Sequence, residues 1–449
     1  MTTASIKILH LIAGAPCGGA ETFCLDAIKS LHGQGLSQHV ICRPHPHVLA
    51  ALQSRNIPYD IITFSRFRKP WEQAKIRRIL RQSRPDLVHC WMNRAASFIP
   101  RGTEPPVLGW FGGYYKLKNY RNCDFYMGVT RGIVRHIIQK SGKPHRSFLV
   151  HTFGTLEECM PVTRADFNIP DDAKTVLLLS RMHRKKGIDT LLHAARQVKN
   201  AHFLLAGDGP DTDRYKKLAQ RLNLQDRVHF LGWRNDRAAL LKIADVCVLP
   251  SRYEPYGTVI AEAWYAGIPL VATRAAGAKE YVTHNLDGLL CDIDDCDALA
   301  TQIDTALHDR ATRERLVMNG CRTYERFFSK AVVTKALVQS YHAIIRAGKR
   351  TKNPRNGEDC GHYALKPALS PQAWNDPAAR AVAGAYLCAY EDPSLALDAA
   401  EMQSDGFYDF LKKTPLASRT EILSEAEMHI LATVWKDLQA AARPHETVS

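Results

Sequence analysis

Short apolar runs alternate with longer amphipathic segments between Ile6 and Ile345. Each run has the length of a buried strand, and polar or glycine-containing turns separate it from the next segment. In the first part of the chain these runs are Ile6–Ile12, His39–Cys42, Asp60–Phe64, Asp86–Trp91 and Phe125–Val129. Strands that alternate with connections of helical length predict a parallel, doubly wound sheet of the α/β class.

A second series of the same kind begins after a polar segment that runs from Gly154 to Asp172. Its apolar runs are Val176–Ser180, His202–Ala206, Val228–Trp233, Ala244–Pro250 and Leu270–Thr273. The repeat predicts two Rossmann-like domains, at residues 1–160 and 161–349. Residues 350–449 are predicted to form a linker and a helical appendage, because a capping box at Ser424–Glu427 precedes an amphipathic pattern.

One stretch of the second series has the features of an anion site. Pro255 and Gly257 hold a turn, and Gly267 followed by Pro269 is a stop signal, so a helix is predicted from about Gly257 to Ala266. The helix would begin at the carboxyl end of a parallel strand. The free amide groups at such a helix start suit a phosphate, so Gly257 and Thr258 are predicted phosphate contacts.

Two carboxylates, Glu254 and Glu262, lie eight positions apart in this stretch. Glu254 precedes the helix and can reach past a phosphate toward the group attached to it. Glu262 lies within the helix and could accept hydrogen bonds from vicinal hydroxyls such as those of a ribose. The alternative is that Glu254 is a helix-start acid favoured by the dipole and Glu262 a solvated surface residue.

The order strand, Pro, turn, helix, Ala-Gly-x-Pro, strand, and then Ala276-Gly277-Ala278-x-Glu280, resembles the donor-binding signature of retaining glycosyltransferases of the GT-B class, family 4. The resemblance covers Ile6 to Ile345, about three quarters of the chain. It implies two domains that face each other across a cleft. It also implies that Glu254 lies near the donor sugar and its departing phosphate, and that Glu262 holds the nucleotide ribose.

The same resemblance assigns the donor diphosphate. A Gly-Gly-Ala-Glu sequence at Gly18 and Gly19 closes over the donor phosphate in this family, although a tight strand-to-helix turn is the alternative. Arg181 and Lys186 match an arginine and a lysine that clamp the diphosphate. Cations there neutralise charge on the departing nucleotide.

Further contacts are carried over from the family with alternatives open. Trp233 and Arg234 are candidates for contact with the nucleotide base, whereas Trp233 as plain core packing is the other interpretation. Trp110 and Phe111 stand where many members have an acceptor-side histidine. These two side chains either stack on a sugar ring or fill the floor between the domains.

No metal and no separate cofactor are expected, and the donor is expected to be a UDP-sugar rather than a GDP-sugar. An Asp-x-Asp sequence, Asp292 to Asp294, is of a type that binds a metal-nucleotide elsewhere. It lies where the family has a variable stretch, and GT-B enzymes use Lys, Arg and helix ends in place of a metal. It is therefore discounted as a metal site.

The net charge of +15 indicates an anionic partner. Zinc-finger spacings and aromatic-basic strand signatures are missing, so nucleic acid is not expected. The anionic partner is therefore expected to be membrane phospholipid or a phosphorylated substrate. Arg66–Arg84 holds eight bases and one acid with aromatic residues between them, which is typical of a membrane-surface helix. An ordinary helix with a solvated face is the alternative.

Together with these features, the resemblance implies a retaining, metal-independent glycosyltransferase of hexosyltransferase type. It would transfer a sugar to a glycan or lipid-linked acceptor in bacterial cell-surface polysaccharide or lipopolysaccharide biosynthesis. The alternatives are a sugar-nucleotide epimerase of the same fold and a catalytically idle scaffold. The sequence contains no run of about 20 apolar residues and no recognisable signal peptide, so the protein is expected in the cytoplasm, with peripheral contact at the inner leaflet.

Overall fold

A computed structural model describes residues 5–14, 18–143, 146–154, 156 and 159–348. The predicted linker and helical appendage at 350–449 lies outside the described residues. The predicted domain boundary at residue 160 lies between two sheets and stays a prediction.

The first sheet has seven parallel strands in the order β3-β2-β1-β4-β5-β6-β7. The strands are β1 Lys7–Ile12, β2 Ser37–Cys42, β3 Tyr59–Ile61, β4 Leu87–Trp91, β5 Val107–Phe111, β6 Phe125–Gly128 and β7 Ser147–Leu149. The helices that connect them are α1 Gly19–His32, α2 Pro46–Gln53, α3 Lys69–Ser83, α4 Met92–Phe98 and α5 Arg131–Ser141. Every residue of β4, β5 and β6 is buried, as expected for a parallel sheet covered on both faces.

The second sheet has six parallel strands in the order β10-β9-β8-β11-β12-β13. The strands are β8 Lys174–Leu179, β9 Ala201–Ala206, β10 Val228–Gly232, β11 Val246–Leu249, β12 Leu270–Thr273 and β13 Leu289–Cys291. The helices are α6 Ile188–Ala195, α7 Thr212–Arg221, α8 Arg237–Ile243, α9 Thr258–Ala266, α10 Ala276–Tyr281, α11 Cys296–His308, α12 Arg310–Thr323 and α13 Lys330–Ala347. The two doubly wound sheets confirm the predicted GT-B class.

The differences from the predicted strands are local. The sequence predicts a strand over Asp60–Phe64, but pairing ends at Ile61, and Phe64 has a left-handed backbone with φ 53°. Strands β5, β7 and β13 are not among the predicted strands. Strand β5 is a continuous apolar run whose aromatic residues suggest a ligand contact as readily as a strand, and β7 and β13 have only three residues each.

The last described helix packs against the first sheet. The Tyr341 hydroxyl lies 2.7 Å from Nδ1 of His89 on β4, and the Thr334 hydroxyl donates to the Ser30 hydroxyl of α1 at 2.9 Å. These polar contacts are buried, so α13 holds a defined position against the sheet. The last helix of the described chain is therefore tied to β4 and α1 of the first sheet.

Candidate active site

The loop between β11 and α9 has the geometry that its prolines and glycines predict. Gly257 takes a backbone conformation with φ 88°, which side-chain-bearing residues rarely adopt, and α9 begins at the next residue. Gly267 ends the helix in the left-handed region, and its amide donates to the carbonyls of Ala263 and Trp264. The predicted bounds of this helix are confirmed, and its amino end lies beyond the carboxyl end of β11.

The amino ends of α1 and α9 meet. A Cβ atom placed on Gly19 would lie 3.5 Å from the Thr258 hydroxyl oxygen. Gly18 precedes Gly19, and a Cβ atom there would lie 2.4 Å from a carboxylate oxygen of Glu21. Two helix starts therefore converge from the two sheets, and both leave amide groups and positive partial charge at the same place.

Lys186 and Glu254, which are 68 positions apart, form an ion pair. Both side chains are mostly shielded from solvent, with 24% and 13% of their surface exposed. The pair is next to the helix start, because Cγ of Glu254 lies 3.2 Å from the position of a Cβ atom on Gly257. An ammonium has three N–H donors, so Lys186 retains donors for an anionic ligand.

Arg252 links the loop after β8, which carries Lys186, to the loop after β11, which carries Glu254. Its guanidinium donates to the carbonyl of Arg184 at 2.7 Å and to the carboxylates of Asp189 at 2.8 Å and Asp294 at 2.6 Å. Its backbone amide donates to the carbonyl of Lys185 at 2.9 Å. The sequence pattern gives Arg252 no role, because its acidic partners lie 42 and 63 residues away.

Gly187 allows the same two loops to approach closely. It has φ 62°, and a Cβ atom at this position would lie 1.9 Å from the carbonyl oxygen of Pro250. No other residue type fits without movement of the backbone. The glycine after Lys186 is thus required by packing between the loops.

Arg181 is exposed at the carboxyl end of β8. Within the part of the chain that the structure describes, no hydrogen bond or ion pair engages its guanidinium. Its charge is therefore available to a ligand, in contrast to the ion-paired Lys186.

Glu262 lies on α9 but is only 3% exposed, so the interpretation as a solvated surface residue is wrong. One carboxylate oxygen binds Arg237, and the other receives no hydrogen bond from any described residue. Burial raises the pKa of Glu262, and the charge of Arg237 opposes that shift. Gly154 covers the carboxylate stem, since a Cβ atom there would lie 3.1 Å from Cγ of Glu262.

Two family profiles match the chain: Glycosyltransferase Family 4 over residues 17–153 and Glycosyl transferases group 1 over residues 160–323. The lipopolysaccharide core biosynthesis glycosyltransferase LpsD of Rhizobium meliloti (strain 1021) is 31% identical over 341 residues, which are 75% of this chain and 98% of LpsD. LpsE of the same strain is 30% identical over 339 residues, with 74% and 98% covered. The chain belongs to glycosyltransferase family 4.

A solved structure of the protein HepE from Anabaena in complex with UDP and glucose has the same fold as this glycosyltransferase. The TM-score is 0.66 at 22% sequence identity, and the match covers 75% of this chain and all of HepE. Among the described residues of the glycosyltransferase, no helix combines the length and the apolar character needed to cross a membrane.

Trp233 and Arg234, the two residues predicted to contact the nucleotide base, differ in how freely they can contact a ligand. Trp233 of the glycosyltransferase is 56% exposed, with its indole N–H donating to Asn235 at 3.0 Å, so the interpretation as core packing is wrong. Arg234 is paired with Asp236, and its guanidinium lies 5.7 Å from the ring centre of Phe167. More than half of the Trp233 side chain is therefore open to a ligand, whereas the charge of Arg234 is already neutralised by Asp236.

Trp110 and Phe111 do not line the cleft of the glycosyltransferase. They are 1% and 0% exposed in β5, where Trp110 stacks on Phe23 and Phe111 on Tyr120. Of the two interpretations of these side chains, stacking on a sugar ring is wrong. The continuous apolar run that contains them was the available signal, because it is typical of a buried parallel strand.

The carboxylates of the Asp-x-Asp sequence have separate partners. Asp292 lies 3.4 Å from Arg274, while Asp294 binds Arg252 and the Thr190 hydroxyl. Among the described residues there is no group of three or more His, Cys, Asp or Glu side chains arranged to hold a metal ion. In the glycosyltransferase Asp294 thus helps to position the loops of the site.

Glu280 contacts a helix that flanks the first sheet. Its carboxylate accepts hydrogen bonds from the backbone amides of Arg131 and Gly132 at the start of α5, the second at 2.9 Å. On the same side, the hydroxyl of Tyr256 donates to the carbonyl of Thr152 at 2.6 Å. These contacts hold the two sheets of the glycosyltransferase together beside the site. The sequence pattern gives Glu280 no role of its own, because its partners are about 150 residues away.

Proposed function

We propose that this glycosyltransferase moves a hexosyl group from a nucleotide-diphosphate sugar to a saccharide or lipid-linked acceptor of lipopolysaccharide biosynthesis. The donor is a UDP-sugar in preference to a GDP-sugar. The transferred sugar retains its anomeric configuration. LpsD and LpsE carry the name of lipopolysaccharide core biosynthesis glycosyltransferases, and HepE was solved with UDP-glucose. The observation that carries the proposal is the convergence of Gly19 and Thr258 beside Lys186 and Glu254.

The diphosphate occupies the place where the two helix starts meet. Backbone amides near Gly19 and Thr258 bind its oxygens, and the charges of Arg181 and Lys186 oppose the negative charge that builds up as the nucleotide departs. Lys186 is held in place before the donor arrives, since it is paired with Glu254 and since Arg252 and Gly187 fix the loops that carry the pair. A cation held in place stabilises developing charge without a cost of reorganisation.

Retention follows from attack on the face that the nucleotide leaves. The bond between the anomeric carbon and the phosphate oxygen breaks, the acceptor oxygen bonds to that carbon, and the departing phosphate takes the acceptor proton. Double displacement through Glu254 is the competing mechanism. The ion pair with Lys186 supports the first mechanism, because a carboxylate held by an ammonium is a weaker nucleophile.

The ribose contact is assigned to the carboxylate oxygen of Glu262 that receives no hydrogen bond. A buried acceptor without a donor is unfavourable, and a ribose hydroxyl would relieve this cost. Because this oxygen is buried, neighbouring residues must move for the hydroxyl to reach it.

Replacement of Glu262 by alanine should raise the donor KM about tenfold, the loss of one hydrogen bond to a charged group, with a smaller change in kcat. Steady-state kinetics with the donor varied measures both. Arg237→Gln is the matched control, because it breaks the same ion pair but keeps the ribose acceptor. An equal rise of KM in both variants would mean that only the ion pair matters.

Activity should survive EDTA, because cations of the protein take the place of a metal at the diphosphate. Nucleotide release is measured after dialysis against EDTA, and again after addition of magnesium or manganese. Loss of activity that either metal restores would show that metal-independent transfer is wrong and would make Asp292 and Asp294 candidate metal ligands.

The proposed reaction is tested by incubating purified protein with a panel of nucleotide sugars, with and without lipid extract, and measuring nucleotide release. We expect release that depends on the extract and a glycosylated product whose anomeric configuration, read by NMR, matches the donor. Conversion of the donor to another nucleotide sugar without extract would indicate an epimerase. Binding of the donor with no product in any mixture would indicate an idle scaffold.

Peripheral contact with an anionic membrane is proposed for α3 and the residues before it. Phe67 and Trp71 are 93% and 72% exposed, an unusual state for large apolar side chains. Arg77, Arg78 and Arg81 of the same helix are exposed as well. Exposed aromatics beside exposed cations are what an interfacial helix presents to anionic lipid.

A further inference from the structure

A cavity of about 510 Å³ lies in the first domain, outside the proposed donor site. Its lining includes Arg66, Lys69, Arg94 and Lys118, and an adjoining cavity adds Arg121. Among the described residues that line either cavity, none is acidic. The volume is that of a small-molecule site, and the lining indicates an anion.

The five cations are held close together without neutralisation. No ion pair with a carboxylate engages any of them in the part of the chain that the structure describes. The ammonium of Lys69 lies 5.4 Å from the ring centre of Phe98. Burial lowers the pKa of Lys69, and the charges of Arg121 and Arg66 lower it further. A bound anion would relieve this repulsion.

A hydrogen bond and two unusual backbone conformations fix the wall of the cavity. Asn119 donates to Asn93 at 2.7 Å, which joins the residues after β5 to the start of α4. Phe64 and Met92 have left-handed backbones, with φ 53° and 67°, and each lies within two residues of the lining. Residues other than glycine in such conformations cluster at binding sites.

The cavity lies beyond the carboxyl ends of the strands of the first sheet, on the same side of that sheet as the Gly18–Gly19 loop. Its residues follow the carboxyl ends of β3, β4 and β5, and the loop follows that of β1. Met92, next to the lining residue Asn93, is also close to Gly14, since a Cβ atom on Gly14 would lie 2.9 Å from its Cε. In open parallel sheets, ligands bind at this edge. A molecule in the cavity is therefore on the cleft side of the first domain.

We infer that this cavity binds the phosphate group of a phosphorylated saccharide, the acceptor of the transfer reaction. The inference rests on the proposed function and narrows its acceptor class. A phosphate monoester carries nearly two charges and three acceptor oxygens, which suits several cations and amides better than the single charge of a carboxylate. An uncharged saccharide would leave the cations without a partner.

The test is calorimetric titration with three probes at constant ionic strength: glucose 6-phosphate, glucuronate and glucose. Saturating UDP is present throughout, so that the proposed diphosphate site is filled. We expect glucose 6-phosphate to bind at least tenfold more tightly than glucuronate, and glucose not to bind. Equal affinity for glucuronate, or no binding of glucose 6-phosphate, would overturn the inference.

The double variant Arg94→Gln/Lys118→Gln should bind glucose 6-phosphate at least tenfold more weakly than wild type. The matched control Arg77→Gln/Arg81→Gln removes the same charge from α3 outside the cavity and should bind like wild type. Equal weakening in both variants would mean that net charge alone acts. Affinity for UDP, measured separately, should be unchanged in both, which shows that each variant is folded.

Vesicle binding distinguishes a lipid headgroup from a saccharide phosphate as the occupant of the cavity. Vesicles of phosphatidylglycerol are compared with vesicles of phosphatidylcholine. If the Arg94/Lys118 variant loses vesicle binding but keeps glucose 6-phosphate binding, the cavity recognises a lipid headgroup and the inference is wrong. Wild-type nucleotide release with lipid extract is measured in parallel. Release without binding of glucose 6-phosphate would remove only this inference, whereas no release would count against the proposed function.

Discussion

Replacement of Lys186 by alanine should lower kcat of sugar transfer by about 10²-fold or more, because one cation at the departing diphosphate is lost. Such a loss corresponds to about 2.7 kcal/mol of transition-state stabilisation. Arg181→Ala should have a comparable effect, since its guanidinium is free to bind the same group. The rate of nucleotide release at saturating donor and acceptor measures both.

Arg184→Ala is the matched control for these variants. Its side chain is an exposed cation of the same loop, and only its backbone carbonyl is used by Arg252. It should therefore turn over like wild type. Wild-type rates in both Lys186→Ala and Arg181→Ala would remove the diphosphate assignment.

A double-mutant cycle with Glu254 separates catalysis from structure. Lys186 forms an ion pair with Glu254, so Lys186→Ala also leaves a mostly buried carboxylate unpaired. In a Glu254→Gln background, the further loss from Lys186→Ala should remain near 100-fold if the ammonium acts on the diphosphate. Recovery of the Glu254→Gln rate in the double variant would show that Lys186 serves only to balance Glu254.

Removal of four positive charges from α3 and the residue before it should weaken binding to phosphatidylglycerol vesicles by about 10³-fold. Each exposed cation near an anionic surface contributes about 1 kcal/mol, so four contribute about 4 kcal/mol. The residues to change to glutamine are Arg68, Arg77, Arg78 and Arg81, which are exposed. Lys69 is left unchanged because it lines the cavity. Cosedimentation at low salt measures the binding.

Helix α7 of the second domain provides the control with equal charge. Its exposed cations Arg214, Lys216, Lys217 and Arg221 are changed to glutamine in the same way. This variant should bind vesicles like wild type, and wild-type binding should fall steeply with salt, because exposed charges are screened within about 8 Å at physiological ionic strength. Equal losses in the α3 and α7 variants, or no binding by wild type, would contradict a membrane role for α3.

The local pattern of apolar, polar, Gly and Pro residues was sufficient to predict the class of fold and the helix at the candidate site. Apolar runs separated by amphipathic segments are properties of neighbouring residues, and they predicted two doubly wound sheets. Pro255, Gly257, Gly267 and Pro269 predicted the bounds of α9, because backbone restrictions act at the residue itself. The short strands β5, β7 and β13 were missed, since a three-residue strand such as β7 or β13 has no period and the aromatic-rich run of β5 has several interpretations.

The tertiary structure was needed to show which side chains are buried and which residues contact each other. The sequence left open whether Trp110 and Phe111 stack on a sugar ring or fill the floor between the domains, and whether Glu262 holds a ribose or is solvated, whereas the structure buries all three. The Arg252 network and the Glu280 contacts join residues between 42 and 149 positions apart. Sequence spacing carries no information on such pairs, because the energy of an ion pair depends on distance and solvent exposure in three dimensions.

The sequence by itself determined that this chain has an overall positive charge and a basic segment at Arg66–Arg84. Only the tertiary structure decided that some of those cations surround a cavity, because Arg66, Arg94 and Lys118 follow three different strands. Parallel strands bring their carboxyl ends to one edge of a sheet, so residues far apart in the chain meet there. Composition sets the total charge, and the order of the strands sets which charges share a site.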